Sequence, residues 1–366
     1  MKTLGILGGG QLGKMIALSA CYRGYRCIVL DPSANCPASV AANVLVGDFN
    51  DRAKIEELCR QSDVVTYEFE NIPAAIVEEM AQKYNVPQGS LPLKLSQDRY
   101  LEKSAVNRVG VRTADFQKMD TVQDLQRFAE AYGYPFFVKT RSLGYDGHGQ
   151  VVVHGQDELP LAAKLVAQAP CIAESFVDFA CEISQIAVRG LQGEFSFFPV
   201  PHNVHKDGIL RISAVPSDVS AQTERLAAET TRRIMEGLNI YGILAVEYFV
   251  TKQGEILFNE MAPRPHNSGH YTIEGCVNSQ YDQLVRCLMG EKLGSTQLLA
   301  PVVMVNVLGQ HVSAVERLKQ TDAVKKCKIH DYGKSEARHN RKMGHLTFVD
   351  CTLQEVENIL KEIDYE

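Results

Sequence analysis

The sequence predicts a mixed α/β and α+β protein: a doubly wound, mostly parallel N-terminal sheet, a larger antiparallel body, and a small C-terminal unit. Three observations carry this. A strand, a glycine turn, a helix and a second strand open the chain, and the alternation continues to about residue 95. From residue 181 the strands follow one another directly, at 181–189, 194–200 and 209–214, with turns at 190–193 and 206–208. A later hairpin, 242–250 with 255–261, has an apolar interior interrupted by Glu247 in the first strand and by Glu260, with Asn259 beside it, in the second.

Composition narrows the function. The 366 residues are 45% hydrophobic and 22% charged, as in an ordinary globular protein large enough for two or three domains. The net charge of −6, without a Lys/Arg-rich run, excludes a sequence-independent nucleic-acid binder, which needs a basic face. No apolar run reaches the length of a membrane span, and residues 1–13 read as the first strand of the fold rather than as a signal peptide. The ten cysteines are scattered without a Cys-x-x-Cys pair, which predicts reduced core thiols in a cytoplasmic protein.

In chain order, residues 2–7 form a strand, and Gly8-Gly9-Gly10-Gln11-Leu12-Gly13 leads into a helix over 14–23. A strand at 26–30 ends at Asp31, so the opening matches Gly-x-Gly-x-x-Gly with an acid at the next strand end. That pattern suits a dinucleotide, but equally an anion such as a sugar phosphate at the helix start, Gln11-Leu12. Helices at 51–61 and 73–84 alternate with strands at 44–46 and 63–67. The last strand delivers Glu68 and Glu70 to the crevice where such sheets bind ligands; the alternative is a solvated loop with Asn71 as a helix cap. A change of pattern near residue 96, where Ser96 or Asp98 can cap a helix running to 108, marks the first boundary.

Then come a strand at 115–118, a helix at 122–132 and a hairpin whose strands, 134–138 and 150–153, flank Lys139 and a turn holding Gly144, Gly147 and Gly149. Glycine lets backbone N–H groups approach an anion closely, and a lysine on the adjoining strand adds a fixed charge. This describes a flap over nucleotide phosphates without the Walker spacing. After a helix at 157–168, the strand 171–177 carries one acid, Glu174, amid apolar residues. Residues 201–205, with His202 and His205, read as a polar turn. A helix spans 221–238.

Buried carboxylates are costly unless paired or metal-bound. Glu247 and Glu260 therefore read as ligands of one or two Mg²⁺ ions under a triphosphate. The loop that follows, Ala262-Pro263-Arg264-Pro265-His266-Asn267-Ser268-Gly269-His270, has His-x-x-x-His spacing, but Pro265 and Gly269 oppose the helix that zinc ligation would need. It reads instead as a donor loop for an anionic substrate. The tail is a helix at 280–289, strands at 301–308 and 327–331, a hairpin at 341–348 and a helix at 353–363. Arg341 and Lys342 are phosphate or carboxylate ligands, or a solvated basic pair.

Taken together, these motifs resemble the ATP-grasp superfamily and, within it, the N5-carboxyaminoimidazole ribonucleotide synthetases of purine biosynthesis. The resemblance spans essentially the whole chain. Its carriers are the opening glycine motif, Tyr67-Glu68-Phe69-Glu70-Asn71, Gly144-Tyr145-Asp146-Gly147, His202-Asn203, Asn259-Glu260-Met261-Ala262-Pro263-Arg264 with His266-Asn267-Ser268-Gly269-His270, and Arg341-Lys342-Met343-Gly344-His345-Leu346. It implies an ATP-grasp fold with a pre-ATP-grasp substrate domain at 1–95, the ATP-grasp domain at 96–295 with a lid at about 113–178, and a C-terminal domain at 296–366. The implied activity is carboxylation of 5-aminoimidazole ribonucleotide with bicarbonate and Mg·ATP, in a homodimer. It assigns ATP contacts to Arg99, Lys139, Gly144, Tyr145, Asp146, Gly147, His148, Gly149, Glu174, Glu182, His205 (or His202) and Asn259, and Mg²⁺ to Glu247 and Glu260. Gln11, Leu12, Glu70, Arg341 and Lys342 would hold the ribonucleotide, and Tyr145, Asp146, His148, Arg264, His266 and Lys342 would serve the chemistry.

Two other classes compete: another ATP-grasp ligase acting on a carboxylate or ribonucleotide, and, further off, an NAD(P)-dependent oxidoreductase or a non-catalytic nucleotide-binding regulator. The oxidoreductase leaves the paired glutamates and the flap without a role, and the intact set of two metal-type glutamates with Lys139 opposes a non-catalytic regulator. One residue departs from the family pattern: His148 stands where arginine or lysine is usual. Histidine loses its charge near neutrality and arginine does not. Activity is therefore expected to fall more steeply above about pH 7 than in His148→Arg; superimposable pH–rate profiles would refute a charge role for His148.

Overall fold

The structure is a computed structural model that describes residues 1–142 and 149–365. Gly144, Tyr145, Asp146, Gly147 and His148, which the family resemblance assigns to ATP binding or to the chemistry, lie outside the described residues.

The first sheet has strands β1 (Thr3–Leu7), β2 (Arg26–Asp31), β3 (Asn43–Val46) and β4 (Val64–Tyr67), in the parallel order β3-β2-β1-β4. Helix α1 (Gln11–Tyr22) connects β1 to β2, α2 (Arg52–Arg60) connects β3 to β4, and α3 (Ala74–Ala81) follows β4. β4 is buried throughout, as a parallel strand covered on both faces must be. Asp51 caps α2 through the Lys54 N–H at 3.1 Å, whereas α3 starts at Pro73 without a side-chain cap, so Asn71 does not cap it. Two further helices, α4 (Leu91–Ser96) and α5 (Arg99–Arg108), lead out of this unit. Ser96 closes α4, and Asp98 caps α5 by accepting from the N–H groups of Tyr100 and Leu101 at 2.9 and 3.1 Å.

A second, antiparallel sheet contains β5 (Phe116–Met119), β6 (Phe136–Thr140), β7 (Gln150–Val153) and β8 (Cys171–Ser175), in the order β5-β8-β6-β7. Helices α6 (Val122–Tyr132) and α7 (Leu159–Gln168) cover it through Leu125, Phe128, Phe136, Val138 and Ala173. In register, Phe137 faces Glu174, so Lys139, two residues on, shares Glu174's side of the sheet.

The third sheet is the backbone of the molecule. Its strands are β9 (Phe179–Arg189), β10 (Phe195–Phe197), β11 (His202–Lys206), β12 (Ile209–Val215), β13 (Gly242–Thr251), β14 (Ile256–Ala262), β15 (Val302–Leu308), β16 (Cys327–Asp331) and β17 (Lys342–Val349). They run β14-β13-β9-β11-β12-β15-β17-β16, with β10 on β9. Helices α8 (Ala221–Gly237), α9 (Thr272–Gly275), α10 (Gln280–Leu288), α11 (Val312–Leu318) and α12 (Leu353–Glu362) complete the chain. The C-terminal strands join the same sheet through β12–β15 pairing, Ile212 opposite Val305. Among the described residues no helix is long and apolar enough to cross a membrane.

Two sequence expectations are corrected. Residues 201–205 are strand, not turn: His202 and Asn203 pair with Ile183 and Glu182, and the buried Asn203 amide is satisfied by the hydroxyls of Ser184 (3.0 Å) and Ser213 (2.7 Å). Residues 341–348 are not a hairpin but lie along one strand. Gly344, read as its turn, is instead a close approach, where a Cβ would sit 2.2 Å from the His330 carbonyl. The chain turns earlier, through Gly333 (φ 74°) and Asn340 (φ 61°). The short helices α4 and α11 were not expected.

Asp98 also pairs with Arg141, its Oδ1 accepting from Nε at 3.1 Å, and so ties α5 to the end of β6. Asp98→Ala removes cap and tie together. It is expected to lower unfolding free energy by about 1–2 kcal/mol, measured by urea denaturation; an unchanged midpoint would show that neither bond contributes.

Candidate active site

Between the second sheet and the face of the third lies a cleft of about 580 Å³. At one end, Lys139 on β6 donates to Glu174 on β8 at 2.8 Å. Lys103 of α5, fully buried, stands 3.7 Å from the other Glu174 oxygen and donates to the Asn259 carbonyl at 2.8 Å. Burial alone would raise the Glu174 carboxyl, but Lys103 and Lys139 bring it down to about 2. Burial in turn lowers Lys103, with Glu174 opposing that shift.

The floor is the polar face of the third sheet. Glu247 on β13 is in register with Ser184 on β9; Glu182 lies two residues from Ser184 and opposite Asn203; His205 follows on β11 past a bulge. Alternation therefore turns these side chains to one face. Ligand atoms of Glu182, His205 and Glu247 lie within 4.8 Å of one another. His205 Nδ1 is 3.1 Å from Glu182 Oε1, close enough for charge attraction but misaligned for a hydrogen bond. Burial opposes protonation of His205, yet Glu182 and Glu247 raise it.

Glu247 faces Glu260 directly across β13 and β14. Burial, then the Glu260 charge, push Glu247 up to about 8. The same two causes push Glu102 of α5 up to about 8, although its Oε1 accepts from the Met261 N–H at 2.9 Å. Arg99 at 3.5 Å is the cation nearest Glu260. Carboxylates are thus crowded enough to retain protons near neutrality, the electrostatic condition that a divalent cation relieves, and their all-oxygen donor set fits Mg²⁺.

At the other end, Arg264 is held by Glu70 at 2.6 Å. His266 Nε2 lies 3.5 Å from Glu247, its Nδ1 2.8 Å from the Ser268 hydroxyl, and burial keeps it neutral. Lys342 lines the same wall. Beyond it, the Lys334 ammonium donates to the Lys342 carbonyl at 2.8 Å; burial, then the Arg341 and Lys342 charges, bring it down to about 8. The glycine turn closes this end. Gly9 N–H donates to Asp31 at 3.0 Å and Gly10 N–H to Glu68 at 2.8 Å. Carboxylates thus take two amides that a dinucleotide pyrophosphate would use. A Cβ at Gly8 would come within 2.6 Å of Glu68, so its glycine is required by close approach as well as by φ 109°.

The chain matches three family models: the ribonucleotide synthetase preATP-grasp domain over residues 1–97, the ATP-grasp domain over 104–281, and the phosphoribosylaminoimidazole carboxylase C-terminal domain over 302–359. It is 40% identical to the N5-carboxyaminoimidazole ribonucleotide synthase of Staphylococcus saprophyticus over 99% of this chain and 97% of that one. The chain belongs to the N5-carboxyaminoimidazole ribonucleotide synthase family. It superposes on the Staphylococcus aureus N5-carboxyaminoimidazole synthetase complexed with ADP at TM-score 0.95 and 37% identity, covering 100% and 97% of the two chains. The Aspergillus clavatus N5-carboxyaminoimidazole synthase in complex with ADP and 5-aminoimidazole ribonucleotide gives TM-score 0.91 and 30% identity, covering 99% and 97%. The N5-carboxyaminoimidazole ribonucleotide synthase fold here is ATP-grasp, with its pre-ATP-grasp and C-terminal units, and the chain is an ATP-grasp ligase.

Within this synthase, the cleft brings together Glu70, Arg99, Lys139, Glu174, Glu182, His205, Glu247, Asn259, Glu260, Arg264, His266 and Lys342. His202 instead points to Asp218 at 3.4 Å, away from the cleft wall. Gln11, Leu12, Gly149 and Arg341 are not in the lining: Leu12 is buried in the core, Gly149 closes the base of the flap onto Thr140, and Arg341 donates to the Glu336 carbonyl at 3.0 Å. Sequence reasoning missed Glu102 and Lys103, which in a highly charged helix look like a solvated face. It also missed Lys334, a lone lysine in a loop. Glu68 it saw only as one of two carboxylates.

Burial pushes Glu68 up to about 7. A carboxyl whose pKa rises on folding binds more protons native than unfolded between its ordinary value and the raised one, so stability falls as pH rises through that window. Glu68→Gln keeps the acceptor for Gly10. It is expected to flatten the decline of ligand-free stability between about pH 5 and 7, by at most about 1.4 kcal/mol per pH unit. An unchanged slope in pH-dependent denaturation would refute the shift.

Proposed function

We propose that the cleft couples ATP cleavage to carboxylation of 5-aminoimidazole ribonucleotide by bicarbonate, giving N5-carboxyaminoimidazole ribonucleotide, ADP and phosphate through carboxyphosphate. The observation that carries this is the Glu247–Glu260 pair, set between a lysine-lined end and an arginine- and histidine-lined end of one cleft. The lysine-lined end, with Lys139, Lys103, Glu174, Glu182, His205 and Asn259, takes the nucleotide. The opposite end takes the ribonucleotide, its phosphate against Lys334, Arg341, Lys342 and the α1 start at Gln11-Leu12. Glu68 and Glu70 border that end. The Aspergillus clavatus relative, solved with both ADP and the ribonucleotide, supports the pairing of ligands.

Glu247 and Glu260 would hold one or two Mg²⁺ ions, which neutralise phosphate charge when bound. A bicarbonate oxygen attacks the γ-phosphorus while the bond to the β-bridging oxygen breaks and ADP departs. Lys139 and Arg99 offset the negative charge that builds on the phosphoryl oxygens. The ribonucleotide amine then attacks the carboxyl carbon, the carbon–oxygen bond to phosphate breaks, and inorganic phosphate leaves. The amine proton goes to a base, for which neutral His266 and Asp146 are the candidates. Arg264, oriented by Glu70, suits the carboxyl oxygens.

The reading divides the chain at 1–95, 96–295 and 296–366, and places it in the cytoplasm as a homodimer. Its ten free cysteines fit a reducing compartment, and the exposed Leu18 and Tyr22, one turn apart on α1, offer apolar surface to a second copy.

The test is ADP release with Mg·ATP and bicarbonate, with and without the ribonucleotide. Strong stimulation, with labelled bicarbonate entering an acid-labile product, is expected; ADP release without stimulation would reopen the acceptor. Glu247→Gln and Glu260→Gln are each expected to lower turnover by at least about 100-fold while the fold persists by circular dichroism. Near-normal turnover in both would overturn the metal assignment.

A further inference from the structure

Behind the wall that carries Lys342 and His266, three imidazoles form a column that no step above uses. His345 on β17 stacks on His330 of β16 with ring centres 4.2 Å apart and planes 10° apart. On its other side it stacks on His270 at 4.7 Å and 27°. His330 and His345 are direct cross-strand partners, and Asn306 on β15 is the next residue in the same row. His345 and His270 are fully buried. Each holds one tyrosine: Tyr332 hydroxyl to His345 Nδ1 and Tyr281 hydroxyl to His270 Nδ1, both at 2.9 Å. The outer ring, His330, is anchored by Glu274 of α9 at 2.7 Å.

The column reaches groups of the cleft at two points, through His345 and through His270. Lys342 begins β17, three residues before His345, and its carbonyl holds Lys334. His270 closes the turn that starts at His266, and Gln280, 3.4 Å from His270 Nδ1, accepts from the His266 N–H and donates to the His266 carbonyl, both at 2.8 Å. The column is therefore the side-chain joint between the strand that supplies the lysines and the loop that supplies His266.

We infer that His345, stacked between His270 and His330, is a positioning residue for the ribonucleotide end of the site, fixing β17 with Lys342 and Lys334 against the His266 loop. This rests on the assignment of that end to the ribonucleotide. The two inner rings, His270 and His345, act as flat, neutral packing surfaces rather than as acids or bases. Burial brings His270 down to about 3 and carries His345 well below its ordinary value, so neither takes a proton at working pH. Each inner imidazole also meets a tyrosine hydroxyl edge-on while stacking by its faces. His270, His330 and His345 do not line the cleft that holds Lys139, Glu174 and Glu182, so the effect is expected at the ribonucleotide end.

The experiment is steady-state kinetics of the full chain, titrating ribonucleotide and ATP separately, for wild type, His345→Ala, His345→Phe and His330→Ala. His345→Ala is expected to raise the ribonucleotide KM about 10-fold and leave the ATP KM within about 2-fold. His345→Phe keeps a stacking face and is expected to recover most of that loss, which a proton-transfer role would not allow. His330→Ala, at the partly exposed end of the column, is expected to raise the ribonucleotide KM about 3-fold, and it decides the matter if His345→Ala does not fold. Equal changes in both KM values, or a folded variant with wild-type ribonucleotide KM, would overturn the inference. Absence of ribonucleotide-dependent turnover in the wild type would instead overturn the site reading on which it stands.

Discussion

Glu247 and Glu260 stand opposite each other on one rung of a buried hairpin, and two negative charges there cannot both persist without a cation or a proton. The rest of the cleft can be derived from that conflict. Glu102 is drawn into it from α5, and Glu182 and His205 from the neighbouring strands, so that burial and mutual repulsion hold protons on carboxyls that would shed them in water. Arg99, 3.5 Å from one Glu260 oxygen, does not balance the set, since Glu102 and Glu247 are still pushed up to about 8. A site built this way stays poised for a divalent ion that arrives with its own anionic ligand, because metal and phosphates together cancel where neither would alone.

Lys103 shows how the protein stabilises the second half of that balance. An ammonium with no exposure to water is costly, and it is tolerated because Glu174 and the Asn259 carbonyl face it from two sheets at once. Glu174 also holds Lys139, so one carboxylate orients two cations from different elements. Asp98 repeats the device one turn earlier on α5 with Arg141. Charges that look like surface decoration thus act as the fasteners between α5, the second sheet and the third.

This explains what the sequence could and could not reveal. The parallel sheet, the hairpin glutamates, Glu174 within its apolar strand and the cap at Asp98 were legible, because each breaks a local pattern that period and burial impose. Lys103 and Glu102 break none: a helix with charges at four of its ten positions reads as solvated on that face, and the approach of β14 buries it. The strand at His202–Lys206 was read as a turn because its polarity is local, whereas the partners that satisfy Asn203, Ser184 and Ser213, come from other strands. Gly344 was read as a turn residue because glycine has two uses, and nothing local distinguishes a reversal from a close approach to a neighbouring strand.

The strand order adds a constraint that local reading does not reach. Because β12 pairs with β15, the sheet carrying Glu182, His205, Glu247 and Glu260 continues without a break into β17, which carries Lys342. Ligands for the two ends of the cleft therefore share one hydrogen-bonded frame, and their separation is fixed by strand spacing rather than by side-chain choice. Lys139 and Glu174 belong to a different sheet, joined to that frame by salt links and by α5. The geometry divides the labour: the continuous sheet fixes the distance over which a carboxyl group must be handed on, and the separate sheet supplies the positive charge that can approach the phosphates from above. A reactive acyl phosphate survives only where water is excluded, and Phe137, Lys139 and Glu174 of the second sheet line that side of the cleft.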